Sequence, residues 1–576
     1  MLKSLTTALF HLPASRRQQK VWFGLSMAIA LVYSLPALQE AFSSPYVVQD
    51  DARQHIFWMR RFLDPALFPN DAIADYFQSV APQGYTLFYR LFIAFGLDPI
   101  LLSKLLPVGL GLVTAALAFG VSWHLLPLPI TGFFASVMVS QTLWSHDDLA
   151  SATPRAFMLP LFMGFLVCLQ RRWRWGCWGA IALQGLFYPQ YVLVMAGLLA
   201  LHGVIWQEGR FMLRRDRPTL IVVGGGLLVA ALVLLPFIVS TSEYGPTITA
   251  AEARQLPEFT DGRSRFFQTD PWGFWLSGMR SGLFPTFKPP LMGLGIFLPL
   301  VLGRLRRSPL AQQVQGLGLL WRLPLISLAL FLAAHALLFK LHLPSRYTAY
   351  TLRFTLIFAA AIALTLVLDG ALRWAESHRT QSAAGNWWRS VAVGLLSGAI
   401  ALALLLFPQY ESRFPNGNYV MGAAPRLYPA LAQLPPDALI ATLVDEADNI
   451  PSFTNRSVLV AREYAIPYHV GYYQPFRQRA IALLAAQYSP RPRDLRQFIR
   501  QQGITHWLLE DTSFEPGYLR THWTRQYLET VPQAEANLGG RSPALARLAP
   551  PCIIHQADGL QLVDASCLLQ PAEDGE

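Results

Sequence analysis

Two pairs of adjacent aspartates stand out in a chain that carries few charges. Asp50 and Asp51 open the stretch QDDARQHIFWMRRF, and Asp147 and Asp148 follow His146 in WSHDDLASATPRAF. Two loops that each present two acids can hold a divalent cation through oxygen ligands, or can supply a base that takes the proton of an acceptor hydroxyl. Like charges this close need a cation or a shared proton. Arg155, Lys288 and Arg346 are the basic groups expected on the same side, the last in LPSRYTAYTLRF beside Tyr347 and two turns before Arg353. A guanidinium fork suits phosphate oxygens and stabilises charge developing on a leaving phosphate. Blander readings exist for each. Asp51 can be a helix N-cap, with Gln54 completing a capping box. The second acid pair can simply be solvated ahead of Pro154, and Arg353 can reach up to a membrane interface along its aliphatic stem.

The elements that must position these groups follow from composition. Of 576 residues, 53% are hydrophobic and 14% charged, well below the roughly 25% charged of soluble domains, and mean hydropathy is +0.33. This composition defines a membrane protein. The net charge of +11 does not point to nucleic acid, because the basic residues fall in short clusters between apolar runs. Runs long enough to span lie near 21–39, 100–124, 128–144, 156–170, 175–188, 190–206, 219–240, 290–303, 323–340, 352–368 and 390–407, about eleven in all. With a cytoplasmic N-terminus, the inside loops hold Lys3 with Arg16, Arg17 and Lys20, then Arg171 to Arg174, Arg210 to Arg217, Arg304 to Arg307, and Arg373 with Arg379 and Arg389. That is roughly 18 basic residues in about 73 inside, against roughly 11 in about 129 outside, which sets the orientation. The first run lacks a clear cleavage site and is read as a retained helix.

In this orientation both acid pairs, the loop 241–289 and HLPSRYTAY all face outward. A carboxylate or guanidinium at mid-bilayer costs about 2.5–3.5 kcal/mol, so these groups belong at the interface or in a watery cavity. Within the outer loop 40–97, residues 51–62 show a helical period. Asp51, His55, Trp58 and Phe62 share a face opposite Arg53 and Arg60, which predicts a helix lying on the membrane surface.

The order of elements resembles the C-type glycosyltransferase superfamily, GT-C. The carriers of the resemblance are QDDARQHIFWMRRF, the acids of WSHDDLASATPRAF, and LPSRY, which is similar to the Arg-Tyr element of lipid-linked aminoarabinose and mannose transferases. The resemblance implies a polytopic α-helical membrane domain over 1–407 and an extracytoplasmic α/β domain over 408–576. It further implies inverting transfer of a sugar from a polyprenyl-phosphate-linked donor to a glycan or lipid acceptor. Asp50 or Asp51 would then be the base, Asp147 or Asp148 a second acidic position, and Arg346 the group on the donor phosphate, with Tyr347, Arg155 and Lys288 beside it. The acids are adjacent here rather than spaced as acid-x-acid, and the tail has no WWD-like run. Need for a metal such as Mg or Mn, with Asp51, His146 and Asp148 as the ligand set, therefore stays open, and a protein acceptor is disfavoured.

In the tail, DALIATLV, RSVLVA and THWLLE read as buried strands and RDLRQFIRQQG as a helix closed by glycine. The aromatic stretch at 462–479 suits either packing or grip on a glycan. Cys552 and Cys567 sit where a disulfide is permitted, whereas Cys168 and Cys177 flank a cytoplasmic turn. Nucleotide-phosphate loops, serine elbows and internal repeats are not evident. The competing classes are a lipid-linked glycan ligase or polymerase, a transporter or flippase, for which matching halves are not seen, and a non-catalytic member of the fold.

Overall fold

Inside hydrocarbon a backbone must satisfy its own hydrogen bonds, so apolar runs become helices. The computed structural model describes residue 10 and residues 13–207, 209–239, 243–284, 286–377, 387–540 and 542–570. Each apolar run falls on a helix there: α1 (Arg16–Ala41), α2 (Pro99–Leu125), α3 (Pro129–Trp144), α4 (Pro154–Gln170), α5 (Arg174–Phe187), α6 (Val192–His202), α7 (Arg217–Val239), α8 (Leu317–Ala336), α9 (Ser345–Ser377) and α10 (Trp387–Leu405), with a tighter helical stretch at Pro290–Arg304. Six, namely α1, α2 and α7 to α10, are long and apolar enough to cross a membrane, and the chain is an integral membrane protein. The other runs make shorter helices, so the eleven runs of the sequence correspond to six helices long enough to cross and five shorter elements among the described residues. Of the basic residues that suggest orientation, Lys3 and Arg379 lie outside the described residues.

Helix starts carry the expected chemistry. Ser15 and Gln18 form a capping box on α1, Asp98 caps α2, and proline occupies the first turn of α2, α3 and α4. Helix α9 is the central staff: 78% of its apolar window is buried inside the protein, against 17–44% for the other five. It packs on α3, α8 and Pro290–Arg304.

A second core lies beyond the helices. Strand β1 (Val47–Gln49) pairs antiparallel with β2 (Tyr419–Met421). A five-stranded sheet of β3 (Leu439–Thr442), β4 (Ser457–Val458), β5 (His506–Glu510), β6 (Ile553–Ala557) and β7 (Leu560–Asp564) runs in the order β4-β3-β5-β7-β6. β3 is parallel to β4 and β5, and β7 is antiparallel to β5 and β6. The β6–β7 turn is Asp558-Gly559, both at positive φ, as a two-residue hairpin of this hand requires. Helix Pro492–Gln502 ends at Gly503 in the left-handed region, and Cys552 and Cys567 are disulfide-bonded.

The sheet does not stand alone. Trp58, Tyr85 and Tyr89 of the first long loop are buried in one cluster with Tyr428, Tyr464 and Trp507 of the tail. This cover changes residues 51–62: instead of one surface helix they form a turn of helix at Ala52–His55 and a 3-10 helix at Phe57–Phe62. Phe57, Trp58 and Met59 are consecutive and wholly buried, which no single helical stripe allows.

Candidate active site

Arg155 sits in the first turn of α4, and its side chain folds back over the preceding loop. Its Nη2 donates to Asp51 Oδ2 at 2.6 Å and to Asp147 Oδ1 at 3.4 Å, while Nε pairs with Asp148 Oδ1 at 2.9 Å. One guanidinium thus gathers three of the four predicted acids from two loops. Asp148 also accepts from the Tyr350 hydroxyl at 2.8 Å and lies 3.7 Å from Arg346 Nη1, which itself donates to Tyr350 Oη at 3.0 Å. Arg346 and Tyr350 can meet because they are four residues apart on α9. The Asn418 amide, next to β2, donates to Asp50 at 3.3 Å and Asp147 at 3.4 Å. Asp51 and Asp147 keep exposed edges, 28% and 33%, whereas Asp148 is 13% exposed.

A second ion cluster lies beside the first. Arg53 bonds Asp50 and pairs with Glu463 at 3.2 Å and Asp448 at 3.8 Å. Arg263, from the long loop, pairs with Glu463 at 2.5 Å and lies 3.9 Å from Asp50. Gln54 donates to the Glu463 carbonyl at 2.8 Å. The capping reading of Asp51 fails on these facts: its carboxylate makes no cap hydrogen bond, and Gln54 is spent on the tail.

Burial pushes the Asp51 carboxyl upward, but Arg155, with His55, Arg263 and Arg346 behind it, outweighs burial and leaves it below the ordinary aspartate value. Asp148 is likewise held low against burial by Arg155 and Arg346. Asp147 goes the other way: burial and the neighbouring acids raise it despite Arg155. Asp51 is therefore ionised at neutral pH and can accept hydrogen bonds at its exposed edge.

The remaining predicted residues are placed as follows. Tyr347 is buried, and its hydroxyl donates to the Leu341 carbonyl at 2.9 Å rather than facing the cluster. Lys288 pairs with Glu411 at 2.7 Å. His146 spends both ring nitrogens, on the Thr142 carbonyl and on Thr286 Oγ1, each at 2.9 Å. Burial, with Arg353 nearby, pushes His146 down to about 4. The set Asp51, His146 and Asp148 does not fit a divalent cation: a guanidinium lies between the two acids, the imidazole is directed elsewhere, and among the described residues three His, Cys, Asp or Glu side chains do not converge on one point. Tyr350 was readable as the residue four beyond Arg346. Arg263, Asn418, Asp448 and Glu463 carry no local signal. Arg353, buried at 8% exposure, donates to the Thr286 hydroxyl at 3.2 Å, and among the described residues its Nε has no hydrogen-bond partner.

A bundle of this order, in which acids of the first two loops meet over an arginine beside a sheet-bearing tail, has the fold seen in solved oligosaccharyltransferases. No family model and no curated protein matches the chain. Among solved structures, it resembles an oligosaccharyltransferase of Archaeoglobus fulgidus tethered by a disulfide to an acceptor peptide containing the NVT sequon, at 13% identity and TM-score 0.51, covering 90% of this chain and 72% of that one. The oligosaccharyltransferase AglB from Archaeoglobus fulgidus, in complex with an inhibitory peptide and a dolichol-phosphate, overlays at 12% identity and TM-score 0.50, over 89% of this chain and 72% of that one. ArnT from Cupriavidus metallidurans bound to undecaprenyl phosphate is 15% identical, with TM-score 0.44, over 96% of this chain and 99% of that one.

Proposed function

We propose that this chain is an integral membrane glycosyltransferase that moves a sugar, with inversion, from a polyprenyl-phosphate-linked donor to a glycan or lipid hydroxyl on the extracytoplasmic face. The observation that carries the reading is the Arg155 hub, which holds Asp51 with an open edge while Arg346 approaches the same Asp148 oxygen, Oδ1, as Arg155. Asp51 accepts the acceptor proton as the acceptor oxygen bonds the sugar's anomeric carbon. The carbon–oxygen bond to the phosphate breaks, and its electron pair leaves on the phosphate. Arg346, with Arg353 one turn-pair further along α9, stabilises that charge. Arg155 orients the acids and does not meet the phosphate. The likeness to an enzyme solved with a dolichol-phosphate supports a lipid-phosphate donor. In this reading the N-terminus is cytoplasmic, and residues 408–576 form an α/β unit over the outer face.

The test is transfer from a panel of radiolabelled polyprenyl-phosphate sugars by purified protein in lipid. Asp51→Asn should lower transfer by about 10²–10⁴-fold with donor binding intact, and Arg346→Ala should weaken donor binding. Undiminished transfer in both variants would overturn the assignment. Movement of lipid-linked sugar across the bilayer without transfer would make the protein a flippase.

A further inference from the structure

Most apolar side chains outside the helices are covered. Ile248, Phe259 and Phe266 of the long loop are buried as well, but five large apolar side chains between Trp272 and Phe287 are not. Trp272, Trp275, Met279, Phe284 and Phe287 are exposed, Met279 at 82% and Trp272 at 74%. A soluble surface rarely leaves so many large apolar groups open within one short segment. Their neighbours in the chain say what covers them. Leu232 and Phe237 at the end of α7 are exposed on a helix built to face lipid, and Ile296 and Leu300 follow on the other side. In chain order the exposed apolar groups thus run from a helix long enough to cross a membrane to the shorter apolar stretch Pro290–Arg304. Two of the five are tryptophans, whose amphipathic rings favour the headgroup level.

The segment is also braced. The Ser345 hydroxyl donates to the Met279 carbonyl at 2.9 Å, and the Ser345 amide donates to the Arg280 carbonyl at 3.2 Å. His335 Nε2 contacts the Ser281 carbonyl at 3.0 Å, and the Trp275 ring lies 4.4 Å from the His335 ring, centroid to centroid. Arg280 donates to the Tyr468 hydroxyl at 2.8 Å. These contacts hold the backbone and the inner side, and leave the aromatic side outward.

We propose that the segment from Trp272 to Phe287 is a wedge inserted into the lipid leaflet on the side of the acid cluster, with the headgroup and acyl-chain boundary as its partner. It carries Thr286, the hydroxyl that meets both Arg353 and His146, so the seated wedge sets the depth of those groups in the bilayer. The proposal stands apart from sugar transfer and is tested without it. Wild-type protein in nanodiscs of phosphatidylcholine bearing a diazirine on the acyl chain is photolysed, and the crosslinks are mapped by mass spectrometry. Peptides covering 271–287 should be labelled as heavily as those of α7 and at least tenfold more than those around Leu528 and Met421, exposed apolar residues of the tail. Labelling at the tail's level overturns the wedge. Independently, a spin label at Met279→Cys or Phe284→Cys, on a Cys168→Ser/Cys177→Ser background, should collide with oxygen more than with a water-soluble nickel chelate. The reverse order, as expected at Leu528→Cys, overturns it as well.

Discussion

The two arginine-centred clusters are built from the same groups and behave in opposite ways. Around Arg155, the acids sit at an open edge and the guanidinium keeps Asp51 and Asp148 ionised. Around Arg53 and Arg263, three carboxylates face two guanidiniums in a space sealed around Glu463 and Asp448, 4% and 11% exposed, with Asp50 at its rim, 24% exposed. Burial there raises Glu463 to about 7 and Asp448 to about 6, although Arg263 and Arg53 oppose the rise. The surplus negative charge is relieved by taking up a proton. The balance of nearby cations against burial, rather than exposure or composition, separates the two clusters: Asp148, 13% exposed, is held low, whereas Asp448, 11% exposed, is raised.

The comparison can be broken hardest at Arg155. Arg155→Met should leave Asp51 and Asp148 without their main cation, cost about 3–5 kcal/mol of stability and abolish transfer; a thermal melt in detergent and the transfer assay read both effects. Next in size, Asp147→Asn should reduce transfer by less than Asp51→Asn does, because its raised carboxyl carries less of the charge. Equal loss in the two would mean that the acids act as one unit. In the sealed cluster, Glu463 has a folded pKa above the unfolded value of about 4.3. Its contribution is full below that value and is lost as pH rises through about 7. Melting temperature should therefore fall between pH 6 and pH 8, equivalent to about 1 kcal/mol, and Glu463→Gln should flatten the fall while sparing the Arg155 cluster. The smallest effect belongs to Tyr350→Phe, which removes one hydroxyl between Arg346 and Asp148. A loss of about 1 kcal/mol, seen as roughly fivefold weaker donor binding, is expected with little change in stability.

The two clusters also differ in how legible they were. The acid pairs, Arg155 and Arg346 could be found because charges are costly in an apolar chain and therefore conspicuous. The role of Arg155 could not be read, since whether a guanidinium meets phosphate or carboxylates depends on which loops approach it. Helical spacing would have yielded Tyr350. Nothing local marks Glu463, Asp448, Arg263 or Asn418, which reach the site only through tertiary packing of tail and long loop. The helical runs were legible for the same reason that the bend at residues 51–62 was not: hydrocarbon dictates helix, whereas a covering tail permits irregular backbone. Lys288 and Tyr347 share a side with the cluster in sequence order, yet one turns to Glu411 and the other into the core.

The pairing of β1 with β2 and of Arg53 with Glu463 closes most of the chain, the last two lying 410 positions apart. During synthesis at about 5–20 residues per second, the first loop would wait roughly 20–80 s for its partner strand and counter-ions. Throughout that interval Trp58, Phe57 and Arg53 have no cover from the tail. The first loop is made early and completed last, so a ribosome stalled before β2 would release a bundle already threaded through the membrane but without a finished site.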